Sequence, residues 1–391
     1  MMTITLHPPL STKIKEGLPC LYWDRLPISE TQNVGGWLRL ENEQGEFLSW
    51  GFVDTSNNLV HLISDLEEEP QQGVISRFSQ AIERRRQPNG AEVCRWVNAA
   101  GDRLSGFQLD SYGGTFVLAL SGAALQPLVS EVKDFLIEEL KPERLLLKLR
   151  EKGRGPEEGV PEELLYGGPL REKLQVSENN LNYLVQPMEL LNVGLFFDLR
   201  GVRKHLSEAV NNSTSLLNLF SYTASFSLVA AVAGACKVVS VDTSSSCHAW
   251  AKENFRLNQL DPDAPAYTFE KADVFRYLEK QLKKSQLFDC IVLDPPARAR
   301  LGTGRFFLKS DLPKLLAMCL SVLKPGGRII VTDNTLQGSE SKLKKMIDKG
   351  AHKAQATYRI EKVFEPESDF PVHPLWPKGR GVIAMEFVKT L

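Results

Sequence analysis

Two aspartates follow short apolar runs and could each hold a polar ligand. The β-branched run at residues 237–241 leads into Asp242, and the apolar run at 288–293 leads into Asp294. Asp242 comes about 20 residues after the previous apolar run, where a nucleotide-binding βαβ unit places the carboxylate that holds ribose hydroxyls. A carboxylate suits this task because its two oxygens lie in one plane. The spacing predicts a nucleotide site, although any α/β sheet contains such units, so a purely structural unit stays open.

The elements that would position Asp242 read as a strand, a turn, a helix and a second strand. The apolar run at 216–220 is too short for a helix and is typical of a buried parallel strand. A small polar turn follows at 221–225, and an alanine-rich helix at 225–233 ends at Gly234.

Asp294 is placed by the prolines that follow it. Pro295 and Pro296 stop both a helix and a strand ladder directly after the run at 288–293. Asp294 is therefore expected at the carboxyl edge of the sheet, where open α/β sheets place their ligands.

Several motifs of the C-terminal half occur together and carry a family resemblance. They are Asn-Leu-Phe-Ser-Tyr-Thr at 218–223, Val-Ser-Val-Asp-Thr-Ser at 239–244, Asp-Pro-Pro-Ala at 294–297, Lys-Pro-Gly-Gly at 324–327 and Gly-Leu-Phe-Phe-Asp-Leu-Arg at 194–200. With these motifs the sequence resembles class I S-adenosylmethionine-dependent methyltransferases. More narrowly, it resembles the large-subunit rRNA methyltransferase I family and its guanine-N7 relatives. The resemblance implies S-adenosylmethionine as cofactor, RNA as partner and residues 194–200 as the segment that covers the cofactor.

The predicted fold class is α/β. A doubly wound, seven-stranded, Rossmann-like methyltransferase sheet follows a small PUA-like β module and an α+β central domain. The predicted domains are residues 1–72, 73–180 and 181–391. Strands of the sheet are expected at 216–220, 237–241, 266–270, 288–293, 328–332, 358–364 and 382–388. Helices are expected near 225–233, 244–257, 274–284, 310–323 and 339–350.

The resemblance implies roles for the residues along the carboxyl edge. Asp242 would accept the ribose hydroxyls, and Asp273 would accept a hydrogen bond from the adenine amino group. The cofactor-binding residues implied in this way are Asp198, Arg200, Asn218, Phe220, Ser221, Tyr222, Asp242, Thr243, Asp273, Val274 and Asp294. Asp294 and Asn334 are the candidate catalytic residues, which would hold the target base by hydrogen bonds. Structural alternatives stay open, since Asp273 could cap a helix and Arg200 could form a surface ion pair.

The sequence departs from the family at four positions. Ala224 and Ser225 replace two glycines in the first turn, Leu199 replaces a glutamine, and Arg298 replaces an aromatic residue. Losing glycines restricts φ where the backbone approaches the cofactor. These departures favour a second hypothesis, in which the chain is an RNA-binding or ribosome-assembly protein with weak or no turnover. A small-molecule methyltransferase is a third hypothesis, against which the N-terminal domains and a basic segment count.

The absence of a cysteine at one position is evidence about which atom of the base is methylated. Methylation of cytosine at C5 requires a thiolate to add at C6. Family members that do this carry the cysteine just after the strand equivalent to 328–332, but residues 331–335 contain none. Cys290 and Cys319 are expected on a buried strand and a helix, where thiols are inert. Nitrogen is therefore the favoured target, and Asp333-Asn334 resembles the polar segment of the guanine-N7 relatives.

Cations cluster beside the predicted site. Arg298, Arg300, Arg305 and Lys309 are expected on a loop, with Phe306 and Phe307 between them. Basic side chains interleaved with aromatic ones suit phosphate contact and base stacking, so these four cations are the candidate RNA-binding residues. The alternative is a solvated loop with two core phenylalanines.

The N-terminal half reads as two smaller domains. Alternation at residues 35–53 around a turn at 42–45 predicts a hairpin, and another strand is expected at 59–63. The resembled family has a PUA-type RNA-binding barrel here, and RNA contact and a structural cap both stay open. A helix is expected at 74–86, ended by residues 87–90. Its three final arginines suit the helix dipole or phosphates. A flexible loop is expected at 151–159.

The composition limits the functional classes to which the protein could belong. The 391 residues carry a net charge of −1, so an RNA binder of this composition needs a local basic patch. No run of about 18 apolar residues predicts a membrane span, and residues 1–15 lack the apolar core of a secretory signal. The six cysteines show no metal-binding spacing, which favours reduced thiols in a cytoplasmic protein without a metal site. A homodimer is left open.

Overall fold

The computed structural model describes residues 2–26, 36–86, 92–150, 162–170, 173–189, 193–302, 304–335 and 339–390. The chain forms two compact units. The first comprises Met1–Val176, Val185–Val193 and Ser368–Arg380, and the second comprises Ser177–Leu184, Gly194–Glu367 and Gly381–Leu391. Residues 1–72 and most of 73–180 fall in the first unit, and the division into three domains stays a prediction.

The first unit begins with a five-stranded sheet. Its strands are β1 (Met2–Leu6), β2 (Cys20–Tyr22), β3 (Trp37–Asn42), β4 (Phe47–Asp54) and β5 (Leu59–Ser64), in the order β1-β3-β4-β5-β2, and helix α1 spans Pro8–Lys15. The predicted turn between β3 and β4 is confirmed, because the Asn42 side chain accepts hydrogen bonds from the backbone N–H groups of Gln44 and Glu46.

A second five-stranded sheet completes this unit. Strands β6 (Val93–Asn98), β7 (Phe107–Tyr112), β8 (Thr115–Leu120), β9 (Arg144–Leu149) and β10 (Glu162–Gly167) lie in the order β10-β9-β8-β7-β6, with helices α2 (Pro70–Arg85) and α3 (Val129–Leu140). Helix α2 begins one turn earlier than predicted, since Pro70 suits the first helical position. Its final arginines form ion pairs, Arg84 and Arg85 with Asp102 and Arg86 with Glu139. The interpretations of Gly35, 87–90 and 151–159 lie outside the described residues.

The second unit contains a seven-stranded sheet. Its strands are β13 (Ser215–Leu219), β14 (Lys237–Asp242), β15 (Tyr267–Lys271), β16 (Phe288–Leu293), β19 (Leu323–Asp333), β20 (Tyr358–Phe364) and β21 (Ile383–Lys389). Their order is β15-β14-β13-β16-β19-β21-β20, and β21 runs antiparallel to both of its neighbours. Two short sheets accompany it, β11 (Leu174–Glu178) with β12 (Leu181–Val185) and β17 (Arg298–Leu301) with β18 (Gly304–Phe307).

Helices cover both faces of the seven-stranded sheet's parallel part, as buried parallel strands require. They are α4 (Arg200–Ala209), α5 (Ser225–Val232), α6 (Ser245–Leu257), α7 (Val274–Lys283), α8 (Leu308–Ser321) and α9 (Glu340–Ala354). The central strands are buried on both faces. Leu217, Ile291 and Ile329 are fully buried on one face, and Leu216, Val292 and Ile330 are fully buried on the other. Among the described residues, no helix combines the length and the apolar character needed to cross a bilayer.

One predicted element is wrong. The basic segment at 298–309 is not a loop: β17 and β18 form an antiparallel hairpin, and Lys309 lies in the first turn of α8. Arg298 and Arg300 point to solvent, while Ala299 and Leu301 pack against the core of the sheet. This alternation makes a strand, but four residues are too few to distinguish it from a loop in the sequence.

Candidate functional site at the carboxyl edge of the sheet

The strand register brings the predicted site residues to one edge. Leu219 at the end of β13 lies opposite Val241 of β14 and Leu293 of β16, and Leu293 lies opposite Val331 of β19. The residues that follow these positions are Phe220, Asp242, Asp294 and Thr332. Because the strands are parallel, all four residues lie at the same edge of the sheet, the edge formed by the carboxyl ends of its strands.

The turn after β13 is strained at alternate residues. Phe220, Tyr222 and Ala224 have positive φ angles of 56°, 51° and 60°. A non-glycine residue in this left-handed region costs roughly 1–2 kcal/mol. The turn is held by hydrogen bonds from Ser221 N–H to Val241 C=O at 3.0 Å and from Ala224 N–H to Ser221 C=O at 2.7 Å. Ala224, which replaces a family glycine, therefore adopts the conformation that glycine would favour.

Asp242 is fixed by the backbone around it. One carboxylate oxygen accepts the Tyr222 N–H at 3.0 Å, and the other accepts the Ser244 N–H at 2.9 Å. Each oxygen keeps capacity for a further donor, because a carboxylate offers about four acceptor sites. Asp242 thus combines a rigid position with open acceptor capacity, as binding of ribose hydroxyls would require. Neighbouring Thr243 is exposed.

The segment predicted to cover the cofactor is fastened to this turn. The Gly194 N–H donates to the Tyr222 hydroxyl at 2.7 Å, and its carbonyl accepts from the Thr223 hydroxyl at 2.6 Å. The φ of Gly194 is 104°, and an added Cβ would lie 2.5 Å from the Trp250 ring and 2.7 Å from the Leu184 carbonyl oxygen. Only glycine fits this position. Further along, the Phe196 and Tyr222 ring centroids lie 5.6 Å apart.

Two of the predicted cofactor residues have structural partners, and a third is buried. Arg200 lies 3.7 Å from Glu178 and 4.0 Å from Glu367, and Glu178 is itself paired with the buried Arg203. The Asp273 side chain accepts the Phe275 N–H at 2.9 Å and so caps helix α7, while Val274 is buried. These contacts fit the structural alternatives, and the cofactor roles of Arg200, Asp273, Val274 and Asp198 stay predictions.

Asp294 has an altered acidity. Burial raises its pKa to about 6, and the nearby Asp198 carboxylate acts in the same direction. The Thr332 hydroxyl donates a hydrogen bond to Asp294 and Arg203 is attracted to it, and both effects lower the pKa. Asp294 is therefore close to half-ionised just below neutral pH. Asn334, the other candidate catalytic residue, is exposed just after β19.

Two buried polar atoms at this edge show that a polar cofactor fits. The side-chain oxygens of Asn218 and Ser221 have no hydrogen-bond partner among the described residues. The Asn218 amide group already donates to the Ser227 hydroxyl at 2.9 Å. A buried unsatisfied group costs roughly 1–3 kcal/mol, which the donors of an adenosine or amino-acid moiety would recover. This edge therefore offers hydrogen-bond acceptors with unused capacity, on Asn218, Ser221 and Asp242, which suit the donor groups of S-adenosylmethionine.

The β17–β18 hairpin adjoins this edge. Phe306 is buried, and its ring centroid lies 5.3 Å from that of Phe220 in the strained turn. Arg300 and Arg305 are exposed and lie directly opposite each other in the hairpin register. Like charges directly opposite each other repel, so the binding of an anion from outside the protein would stabilise this pair. Phe307 is 42% exposed, so only one of the two phenylalanines belongs to the core.

Most cysteines lie away from this edge or are buried. Cys247 is the exception: it is partly exposed in the first turn of α6, where its backbone N–H donates to the Ser244 hydroxyl, and burial raises the pKa of its thiol. Burial raises the pKa of Cys290 to about 12, and burial raises the pKa of Cys319 as well. Cys236 is exposed, but it lies before β14, at the opposite edge of the sheet. No cysteine lies at residues 294–297 or 334–335, the described residues that directly follow β16 and β19. The predicted absence of a thiolate nucleophile at the site is consistent with this arrangement.

Sequence reasoning missed three contributors. Thr332 bonds Asp294, Thr223 fastens Gly194, and the Glu178–Arg203 pair lies beneath Arg200. Thr332 was detectable as a polar residue at the end of an apolar strand. The pairing of Glu178 with Arg203 had no local signal, because the two residues are 25 positions apart and on different elements.

The chain is similar to known methyltransferases. A family model described as S-adenosylmethionine-dependent methyltransferase matches residues 142–377. The "Putative ribosomal RNA large subunit methyltransferase YwbD" of Bacillus subtilis is 29% identical over 391 residues, covering 97% of each chain. Ribosomal RNA large subunit methyltransferase I of Vibrio vulnificus is 27% identical over 302 residues, covering 74% of this chain and 73% of that protein.

Solved structures share the fold over nearly the whole length. "A putative sam-dependent methyltransferase from Streptococcus mutans" is 25% identical with a TM-score of 0.85, covering 99% of this chain and 100% of its own. A second structure, described as "a putative methyltransferase complexed with SAH", has a TM-score of 0.87 and 24% identity at the same coverage.

Proposed function

This chain belongs to the S-adenosylmethionine-dependent methyltransferases, whose family model matches more than half of it, and we propose that it methylates a base of large-subunit ribosomal RNA at a nitrogen atom. The cofactor supplies the methyl group on its sulfonium. The observation that best supports RNA as the substrate is the exposed arginine hairpin. It contacts the proposed cofactor-binding edge through Phe306, which packs against Phe220. The relatives named above act, by their names, on large-subunit ribosomal RNA.

The nitrogen target follows from the chemistry that the edge offers. A ring or amino nitrogen of a base has an available lone pair, so placing it against the sulfonium methyl group is the main requirement. Asp294 at the edge can accept a hydrogen bond from the base while ionised, and Asn334 can donate one. Carbon-5 of cytosine would require a thiolate, and the described loops at this edge offer none.

Further parts of the proposal concern the cofactor and the N-terminal sheet. Asp242 would hold the ribose, and Asn218, Ser221 and Tyr222 would surround the rest of the cofactor. Sheet β1–β5 would be PUA-like and would help to hold the RNA. Arg298, Arg300, Arg305 and Lys309 would contact its phosphates near the target base.

The hairpin provides the direct test. Changing Arg298, Arg300 and Arg305 together to Gln should weaken RNA binding and reduce the slope of log affinity against log salt by about 2, at about 0.7 per phosphate on a single strand. A matched variant changes Lys345, Lys349 and Lys353 of α9 to Gln, which removes equal charge from an exposed helix face. Affinity should be measured by fluorescence anisotropy over a salt series, with calorimetry of S-adenosylmethionine as the folding control.

Two outcomes are distinguishable. A slope that falls only in the hairpin variant, with cofactor affinity retained, supports phosphate contact by the hairpin. Equal slopes for the hairpin variant, the α9 variant and the unaltered protein would contradict it, and RNA contact would then have to come from the N-terminal unit.

A further inference from the structure

The first compact unit contains an apolar cavity of about 200 Å³ that the methyl-transfer chemistry does not use. Its floor consists of the buried side chains of Leu18, Cys20, Leu21 and Leu26. Two aromatic rings form its wall: the centroids of Tyr22 and Trp376 lie 5.5 Å apart with an interplanar angle of 44°. The cavity thus offers flat π-surfaces above an apolar base.

Two cations stand at the rim of this cavity. Lys13 and Arg25 are exposed, and neither forms an ion pair with the described residues. The Arg25 guanidinium carbon lies 5.1 Å from the Tyr22 ring centroid, which is within cation–π distance. An apolar, aromatic cavity beside two uncompensated cations is complementary to a ligand that has a flat ring and a negative charge.

Trp376 is held in place by its own segment. The Asp369 side chain accepts the Arg95 backbone N–H at 2.9 Å, and the Pro371 carbonyl accepts from the Asn98 amide group at 3.0 Å. The packing is close, since a Cβ on Gly101 would lie 1.9 Å from the Pro371 carbonyl oxygen. The Trp376 backbone N–H donates to the His373 carbonyl oxygen at 2.9 Å, and its side chain packs against the buried core of this unit. A ligand would therefore bear little of the cost of fixing the ring.

We propose that this cavity binds one unpaired base of the RNA substrate, stacked on Trp376 and Tyr22, with the adjoining phosphates on Lys13 and Arg25. The inference rests on the proposed function, because it takes RNA as the substrate. The volume accommodates a single base and its aromatic walls suit any base, as stacking sites do. A neighbouring depression shares Leu10, Arg25 and Leu26 with the cavity but carries Asp24 and Glu43, which repel phosphate. The backbone of the strand therefore leaves on the Lys13 side.

The test uses the full chain and a short oligouridylate, whose bases are unpaired. Trp376→Ala should lower affinity by about 5- to 100-fold, the range found when a stacked base loses its aromatic partner. Trp376→Phe should keep most of the affinity, because a ring is retained. Changing Lys13 and Arg25 together to Gln should reduce the salt slope by about 1.4. The matched charge control changes the exposed Lys283 and Lys284 to Gln.

Calorimetry with S-adenosylmethionine should give unchanged affinity for every variant, which excludes misfolding as the cause. In a second measurement, photocrosslinking with oligo(5-bromouridine) should yield peptides that contain Trp376 or Tyr22. Unchanged RNA affinity and slope in the Trp376 and Lys13/Arg25 variants would overturn the cavity proposal, as would be expected if a protein segment filled it. If the cavity variants are unaffected but the hairpin variant still loses RNA affinity, the cavity proposal fails and the proposed function is retained. Failure of the unaltered protein to bind or methylate any RNA would instead contradict the proposed function.

Discussion

The proposed catalytic role of Asp294 and its effect on stability both depend on the ionisation of one buried carboxyl group. Burial raises its pKa to about 6, so at neutral pH the carboxyl group is ionised in the folded protein, but less favourably than in the unfolded chain. In the proposed function, the same charge would accept a hydrogen bond from the target base. We therefore expect methyl transfer to fall as pH drops through about 6, when Asp294 becomes protonated.

Asp294→Asn should be inactive or nearly so and more stable than the unaltered protein. The folded pKa lies above the unfolded value near 4, so the ionised carboxyl costs stability above pH 6, and this cost disappears below about pH 4. The gain should reach up to about 3 kcal/mol at pH 7.5, at about 1.4 kcal/mol per pKa unit. Urea unfolding of both proteins at pH 7.5 and pH 4 measures it. A variant that is less stable at pH 7.5, or equally stabilised at both pH values, would contradict the role given to burial.

At the scale of elements, the strained turn and the segment of Gly194 form one device. The turn after β13 carries three left-handed residues, and the Tyr222 and Thr223 side chains hold the backbone of Gly194 against it. Strain of this kind persists only where surrounding contacts fix it, and it concentrates at functional sites. The device sets the position of the segment predicted to cover the cofactor.

Gly194→Ala should disrupt this device. The new Cβ would meet the Leu184 carbonyl oxygen and the Trp250 ring, and the positive φ adds strain of about 1 kcal/mol. Gly234→Ala is the matched control, because Gly234 has a φ of 92° but open space around its Cα. We expect a lower unfolding temperature for both variants, a larger drop for Gly194→Ala, and weaker S-adenosylmethionine binding for Gly194→Ala alone. Equal effects of the two variants on cofactor affinity in calorimetry would remove the segment from the cofactor site.

The sequence predicted the elements of the second unit well and its side-chain contacts poorly. The strands that hold Asp242 and Asp294 were predictable because a buried parallel strand is a continuous apolar run, and prolines mark its end. The β17–β18 hairpin was missed because Arg298–Leu301 is only four residues long. The Thr332–Asp294 bond and the Glu178–Arg203 pair join distant elements, so no local pattern could reveal them. The helix-cap role of Asp273 was foreseen as an alternative, since an aspartate directly before a helix commonly caps it.

At the scale of the whole molecule, the distribution of cysteines limits the chemistry. Buried Cys290 and Cys319 have raised pKa values, and exposed Cys236 lies at the opposite edge of the sheet from Asp294. Cys247 lies partly exposed at the carboxyl edge, but burial and the nearby Asp242 carboxylate raise the pKa of its thiol. A variant with all six cysteines changed to Ser or Ala should keep methyl transfer if its unfolding midpoint shows that it still folds. RNA that contains 5-fluorocytosine should form no covalent complex with the unaltered enzyme. A trapped complex, or one cysteine whose loss abolishes turnover while stability and cofactor affinity hold, would return the protein to the cytosine-C5 class.

The proposed activity is methylation of a nitrogen on a base of large-subunit ribosomal RNA. Mass mapping of ribosomal RNA from cells with and without the gene tests it most directly. We expect one N-methylated base of the large-subunit RNA to disappear on deletion and to return when the unaltered gene, but not one encoding Asp294→Asn, is restored. Identical modification maps of the large-subunit RNA in both strains, or the loss of a 5-methylcytosine, would contradict the claim.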